Sequence, residues 1–131
     1  MIDVDGVSFS FGKNKVLDGI SFTAGKGQLV SVLGPNGVGK TTILKCMCGI
    51  LKPECGTIRI DGIDVSKLTG KELAKNVALV PQTVPKAHVT VYDSVLLGRK
   101  PYISLSVSNK DLEITSRAIS EMGLRDLAMH Y

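Results

Sequence analysis

The chain has 131 residues, with 16 Lys plus Arg against 12 Asp plus Glu and a formal net charge of +4. Hydrophobic residues make up 44% of it and charged ones 21%, a globular composition that excludes a wholly disordered chain. This length allows one small domain and excludes a large multidomain enzyme. No apolar run approaches the ~20 residues that cross a bilayer, and the opening MIDVDGVSFSF carries acids where a signal peptide carries bases. Residence in the cytoplasm is therefore expected. Cys46, Cys48 and Cys55 are an odd, sparse set that reads as reduced thiols in core packing, because the C-x-C pair lacks the further ligands of a zinc site. The mild positive charge is far from a nucleic-acid footprint, so no nucleic-acid partner is expected.

Residues 2–24 read as two strands. Val7, Phe9 and Phe11 alternate with polar partners, GKNK turns the chain, and residues 16–22 run back. QLVSVLG, residues 28–34, is a short β-branched run of the kind buried in parallel sheets. The following TTILKCMCGIL predicts a helix with Ile43, Leu44, Met47 and Ile50 on one face, closed by Pro53 and Gly56. Residues 57–62 predict a strand and turn, 71–75 a short helix, and 77–80 a second buried strand stopped by Pro81. Residues 91–99 predict a helix. Ser108 with Asp111 resembles a capping box opening a last helix, with Leu112, Thr115, Ile119 and Met122 on one face and Gly123 at its end. Strands alternating with helices predict an α/β fold with an antiparallel appendage at the front.

The strongest motif is Gly34-Pro35-Asn36-Gly37-Val38-Gly39-Lys40-Thr41, a full G-x-x-x-x-G-K-[ST] pattern between a predicted strand and a predicted helix. Glycines let backbone N–H groups turn inward around a phosphate, and the helix start adds partial positive charge. Lys40 supplies an ammonium for the β- and γ-phosphates, and the Thr41 hydroxyl a ligand for Mg²⁺ between them. Thr42 offers a further hydroxyl to the α-phosphate. A GTPase would need N-K-x-D; here Asn109-Lys110-Asp111 brings the acid one place early.

The ordered segments VSFSF, GKNKVLDGISF, GKGQLVSVLGPNGVGKTT, LKPECGTIRIDG and VALVPQ resemble the ATP-binding subunit of ABC transporters along essentially the whole chain. The resemblance implies a P-loop NTPase core, here a partial parallel sheet with helices, plus an N-terminal antiparallel β subdomain. It divides the chain into an antiparallel part over about 1–27, a core over about 28–90 and the start of a helical subdomain over about 91–131. By the same resemblance Phe11 stacks on adenine, with Val16 beside it, and Gln82 is the Q-loop glutamine that helps bind Mg²⁺ and the attacking water. ATP and Mg²⁺ are the implied cofactors. Membrane permease subunits and a second ATP-binding subunit are the implied partners, which places the protein on the cytoplasmic face of the cell membrane.

TVYDSVLLGRKPY, residues 90–102, looks like a segment of importers for iron–siderophore, haem and cobalamin, and sets Arg99 and Tyr102 on the helical region that contacts the permease. The same segment counts against an ABC-type ATPase of DNA repair or translation. The family's LSGGQ signature, Walker B strand and switch histidine do not appear, so His88 and His130 read as solvated. The chain is thus expected to be an N-terminal portion that is inactive alone. The alternative reading is a non-hydrolysing, nucleotide-binding or self-associating fragment, since relatives place missing strands beside the phosphate-loop strand and an unpaired edge invites association.

Overall fold

The computed structural model describes residues 1–83 and 88–130. It falls into two compact units, Met1–Leu79 and Val80–Tyr131. In the first, β1 (Ile2–Phe11) and β2 (Asn14–Ala24) form a hairpin closed by Gly12 and Lys13. β3 (Cys55–Ile60) pairs antiparallel with the other side of β1, and β4 (Ile63–Asp64) folds back on β3, giving the order β2-β1-β3-β4. Asp61 and Gly62 both hold positive φ, the requirement of a tight two-residue hairpin turn.

The β1–β2 ladder shifts register between Val4 and Val7 and again between Val7 and Phe9. Across these irregularities the Gly6 N–H donates to Ser21 Oγ (2.8 Å) and the Gly19 N–H to Ser8 Oγ (2.9 Å). Serine hydroxyls thus take over donors that a regular ladder would have paired. β1 and β3 approach closely at Gly56 (φ +84°), where a Cβ would stand 2.4 Å from the Gly6 carbonyl oxygen and 2.6 Å from that of Asp5.

The sheet packs on α1 (Lys40–Met47). Val4, Val7, Leu17, Ile58 and Ile60 from the strands join Ile43 and Cys46 from α1, with Val65 and Leu73 completing the core. Leu73 arrives on the short α2 (Gly70–Leu73), which Thr69 and Glu72 open with a capping box.

Several local expectations are corrected. Residues 28–34 and 77–80 were expected to be buried strands; neither joins the sheet, and Leu29 (97%), Leu33 (88%) and Val80 (91%) are exposed. A parallel strand is held by ladder bonds to neighbours, and among the described residues none pairs with these segments. α1 ends at Met47, well before Pro53 and Gly56, and buries Thr42, Ile43 and Cys46 while leaving Leu44 and Ile50 exposed. Of the cysteines, Cys46 is core and Cys48 half-buried, but Cys55 is exposed at the start of β3; all are free thiols. Burial pushes the thiols of Cys46 and Cys48 upward, so both stay protonated.

In the second unit, α3 (Val91–Leu97) is opened by Thr90, whose hydroxyl accepts the Asp93 N–H at 3.0 Å. The N–H groups of Val91 and Tyr92, left over at that helix start, donate to the carbonyls of His130 (2.9 Å) and Ala128 (2.8 Å). α4 (Asn109–Glu121) begins at the expected Ser108–Asp111 capping box, and Gly123 follows its C-cap with φ +67°. Its buried stripe is Asp111, Thr115 and Ile119, spaced by four, so Leu112 and Met122 face outward instead. His88 and His130 are both exposed.

Candidate phosphate-binding site

Gly34 to Gly39 form a loop that leads directly into α1. Gly39 is the N-cap residue, in the left-handed region at φ 104°; no side chain caps the helix and no acid occupies its first turn. The free N–H groups and the helix dipole there favour an anion, and an acid in that turn would have competed with one. Lys40 sends its Nζ back across the loop to the carbonyl oxygens of Gly34 and Pro35, both at 2.7 Å. The ammonium therefore lies over the loop that precedes it, held by partners that a phosphate oxygen can replace.

The loop end is wedged against β2. A Cβ on Gly39 would lie 2.9 Å from Leu17 Cδ2 and 3.0 Å from the Val16 carbonyl oxygen. Only glycine tolerates both that φ and that approach. Val16 and the loop are thus neighbours, a juxtaposition that sequence spacing could not show. Phe11 closes β1 as an exposed residue (55%), and Phe9 meets its ring edge-on at 4.9 Å between centroids. An exposed aromatic face held by a second ring suits stacking on a planar base. Thr41 is exposed and Thr42 is buried in the first turn of α1.

Gln82 lies in the second unit, exposed just after Pro81. Among the described residues no group of three or more His, Cys, Asp or Glu could hold a metal ion. If Mg²⁺ binds at this loop, the exposed Thr41 hydroxyl is a side-chain oxygen that could ligate it, with phosphates and water supplying the remaining positions rather than an all-protein cage.

Arg99 and Tyr102 stand together beyond α3. The Arg99 guanidinium lies 4.1 Å from the Tyr102 ring centroid and donates from Nε to Asp111 Oδ1 at 3.0 Å. Hydrogen bonds from Ser108, and then the Arg99 guanidinium, hold the Asp111 carboxyl below the usual carboxylate range. Sequence reading recognised the Ser108–Asp111 box but not the free second oxygen of Asp111 that Arg99 uses.

A family model for the ABC transporter matches residues 17–130. The chain belongs to the ABC transporter family. An uncharacterized ABC transporter ATP-binding protein of Methanocaldococcus jannaschii is 47% identical over 131 residues, covering 100% of this chain and 52% of that protein. The hemin import ATP-binding protein of Pseudomonas entomophila is 36% identical, over 98% of this chain and 50% of its own length. The petrobactin import ATP-binding protein of Bacillus subtilis is also 36% identical, over 100% and 52%. The chain thus spans about half the length of these curated relatives. Among solved structures, an ATP-binding subunit of an ABC transporter superposes with a TM-score of 0.80 at 24% identity, covering 100% of this chain and 55% of that one. That likeness bears out the expected α/β fold class of ABC ATPase domains.

Proposed function

We propose that the chain is the nucleotide-binding portion of an ATP-binding subunit that powers an ABC importer. One observation carries this: Lys40 Nζ bridges the Gly34 and Pro35 carbonyls above an uncapped helix start, so ammonium and helix dipole converge on one loop. In this reading the loop from Gly34 to Gly39 surrounds the β-phosphate, Lys40 neutralises the β- and γ-phosphates, and Thr42 meets the α-phosphate. Thr41 ligates Mg²⁺, Phe11 stacks on adenine with Val16 beside it, and Gln82 helps bind Mg²⁺ and the attacking water. Mg-ATP would draw two such subunits together and hydrolysis would release them, so energy enters transport as a conformational cycle.

The relatives named for hemin and petrobactin import support an iron-chelate or related cargo such as cobalamin. Segment 90–102 would face the permease, which would hold the subunit at the cytoplasmic membrane face; no described helix is long and apolar enough to cross a membrane. The test is ATP turnover by the full-length subunit with its permease: Lys40→Ala should abolish it, and undiminished turnover would remove the assignment. A second reading, nucleotide binding or self-association without turnover, draws on the exposed apolar segment 28–34. A molar mass from light scattering that grows with the concentration of this chain would favour self-association; a monomer mass independent of concentration would refute it.

A further inference from the structure

We propose that Arg99 is a positioning residue: acting through Asp111, it holds the 98–108 loop in the conformation that the membrane partner meets. This rests on the reading that segment 90–102 faces a permease. The sequence places Arg99 itself at that contact, but its side chain is only 19% exposed and that of Asp111 only 7%.

Asp111 is a carboxylate with both oxygens engaged. Oδ2 accepts the Ser108 N–H at 3.1 Å and the Ser108 hydroxyl at 2.6 Å, while Oδ1 accepts Arg99 Nε at 3.0 Å. One acid therefore caps α4 and anchors an arginine twelve positions earlier. Arg99 also fastens the loop through its backbone, its carbonyl accepting the N–H groups of Tyr102 (2.8 Å) and Ile103 (3.2 Å). Its guanidinium face covers the Tyr102 ring at 4.1 Å. Side chain, ring face and carbonyl all tie the same loop.

The tie sets the shape of a surface. A hollow of ≈ 290 Å³ lies between the α3 residues Leu96 and Leu97 and the loop residues Ile103 and Val107. The loop wall stands where it does because Arg99 fixes one end of it and the Ser108–Asp111 box the other. Loss of the guanidinium would leave a buried carboxylate without its cation and let that wall move. Lysine is no substitute, since it lacks both the Nε donor of a planar fork and the flat face that stacks on Tyr102. Lys100, the next residue, is exposed on the rim of the same hollow and serves as a control for charge alone.

The experiment compares full-length wild type, Arg99→Gln, Arg99→Lys and Lys100→Gln. Hydrogen exchange of the Tyr102 and Ile103 amides should quicken at least about tenfold in Arg99→Gln, less in Arg99→Lys, and stay within about twofold in Lys100→Gln. With the permease reconstituted, Arg99→Gln should keep basal ATP turnover within about twofold while the permease concentration for half-maximal stimulation rises at least about tenfold. If Arg99→Gln fails to fold, Tyr102→Leu removes the stacked ring while leaving the Arg99–Asp111 pair and should show the same split in lesser degree. Unchanged exchange refutes the clamp. Basal and stimulated turnover falling together refutes a positioning role. A wild-type subunit that its permease does not stimulate refutes the permease reading, and the functional half of this proposal with it.

Discussion

Alanine at Gly37 and alanine at Gly39 carry a similar backbone penalty and very different steric ones. Both glycines hold positive φ, 83° and 104°, where an L-residue costs ~1–2 kcal/mol. At Gly37 an added Cβ meets nothing within 4 Å. At Gly39 it would press on Leu17 Cδ2 at 2.9 Å, the Val16 carbonyl oxygen at 3.0 Å and Val16 Cγ1 at 3.1 Å. Leu17 is a core residue and the carbonyl is backbone, so neither yields freely. Overpacking of that kind adds ~1–3 kcal/mol. Gly37→Ala should therefore destabilise by ~1–2 kcal/mol and Gly39→Ala by ~2–5 kcal/mol. Urea unfolding followed by circular dichroism reads the difference as roughly one molar in midpoint, given slopes of ~1–3 kcal/mol per molar. Equal midpoints for the two variants would refute the claim that the phosphate loop is seated on β2.

Three further outcomes are expected. Gly56→Ala drives a Cβ to 2.4 Å from the Gly6 carbonyl oxygen and should cost ~2–5 kcal/mol in thermal or urea unfolding; a loss under ~1 kcal/mol would show that β1 and β3 can part. Phe11→Ala should leave stability nearly unchanged, because the ring is exposed, yet raise the Kd for ATP roughly three- to tenfold, with Phe11→Tyr close to wild type. Equal ATP affinity in all three proteins would remove Phe11 from the site. The last concerns acid. Asp111 is held low by Ser108 and then Arg99, so it binds fewer protons folded than unfolded. Its stabilisation is present above the unfolded value of ~3.9 and is lost as pH falls through the lower folded value. Asp61, Asp64 and Glu72 are held low as well and share the wild-type decline. Asp111→Asn should flatten that decline below about pH 4; an unaltered slope would show that Asp111 is not strongly linked to folding.

What the sequence disclosed was mostly local. The loop from Gly34 to Lys40, the β1–β2 hairpin and the Ser108–Asp111 box each depend on residues a few positions apart, and each is found where its spacing puts it. The same local code was available for Thr69–Glu72 and for Thr90–Asp93, both T-x-x-acid helix starts, yet neither was singled out. Residues 28–34 and 77–80 show the limit. β-Branched runs state that a segment is fit for a sheet, but pairing depends on another strand, and none among the described residues supplies it.

The site divides in the same way. Lys40 reaching the Gly34 and Pro35 carbonyls is legible because the motif is contiguous. Gly39 against Val16 and Leu17 is not, since it joins segments more than twenty positions apart in the chain. Arg99 is set at a partner contact by the resemblance of segment 90–102 to importers, and no spacing rule links it to an acid twelve positions on. Its partner, Asp111, already had a role as a capping acid, and only the fold shows that the second carboxylate oxygen was still available.

The central claim, that this loop binds a nucleoside triphosphate through Lys40, is tested most directly by titrating Mg-ATP into the full-length subunit by calorimetry, beside its Lys40→Ala variant. The account predicts saturable binding to the wild type and affinity at least about tenfold weaker in the variant, because one charge-assisted contact to phosphate is lost. Equal affinity in the two proteins, or no binding by a folded wild type, would contradict it.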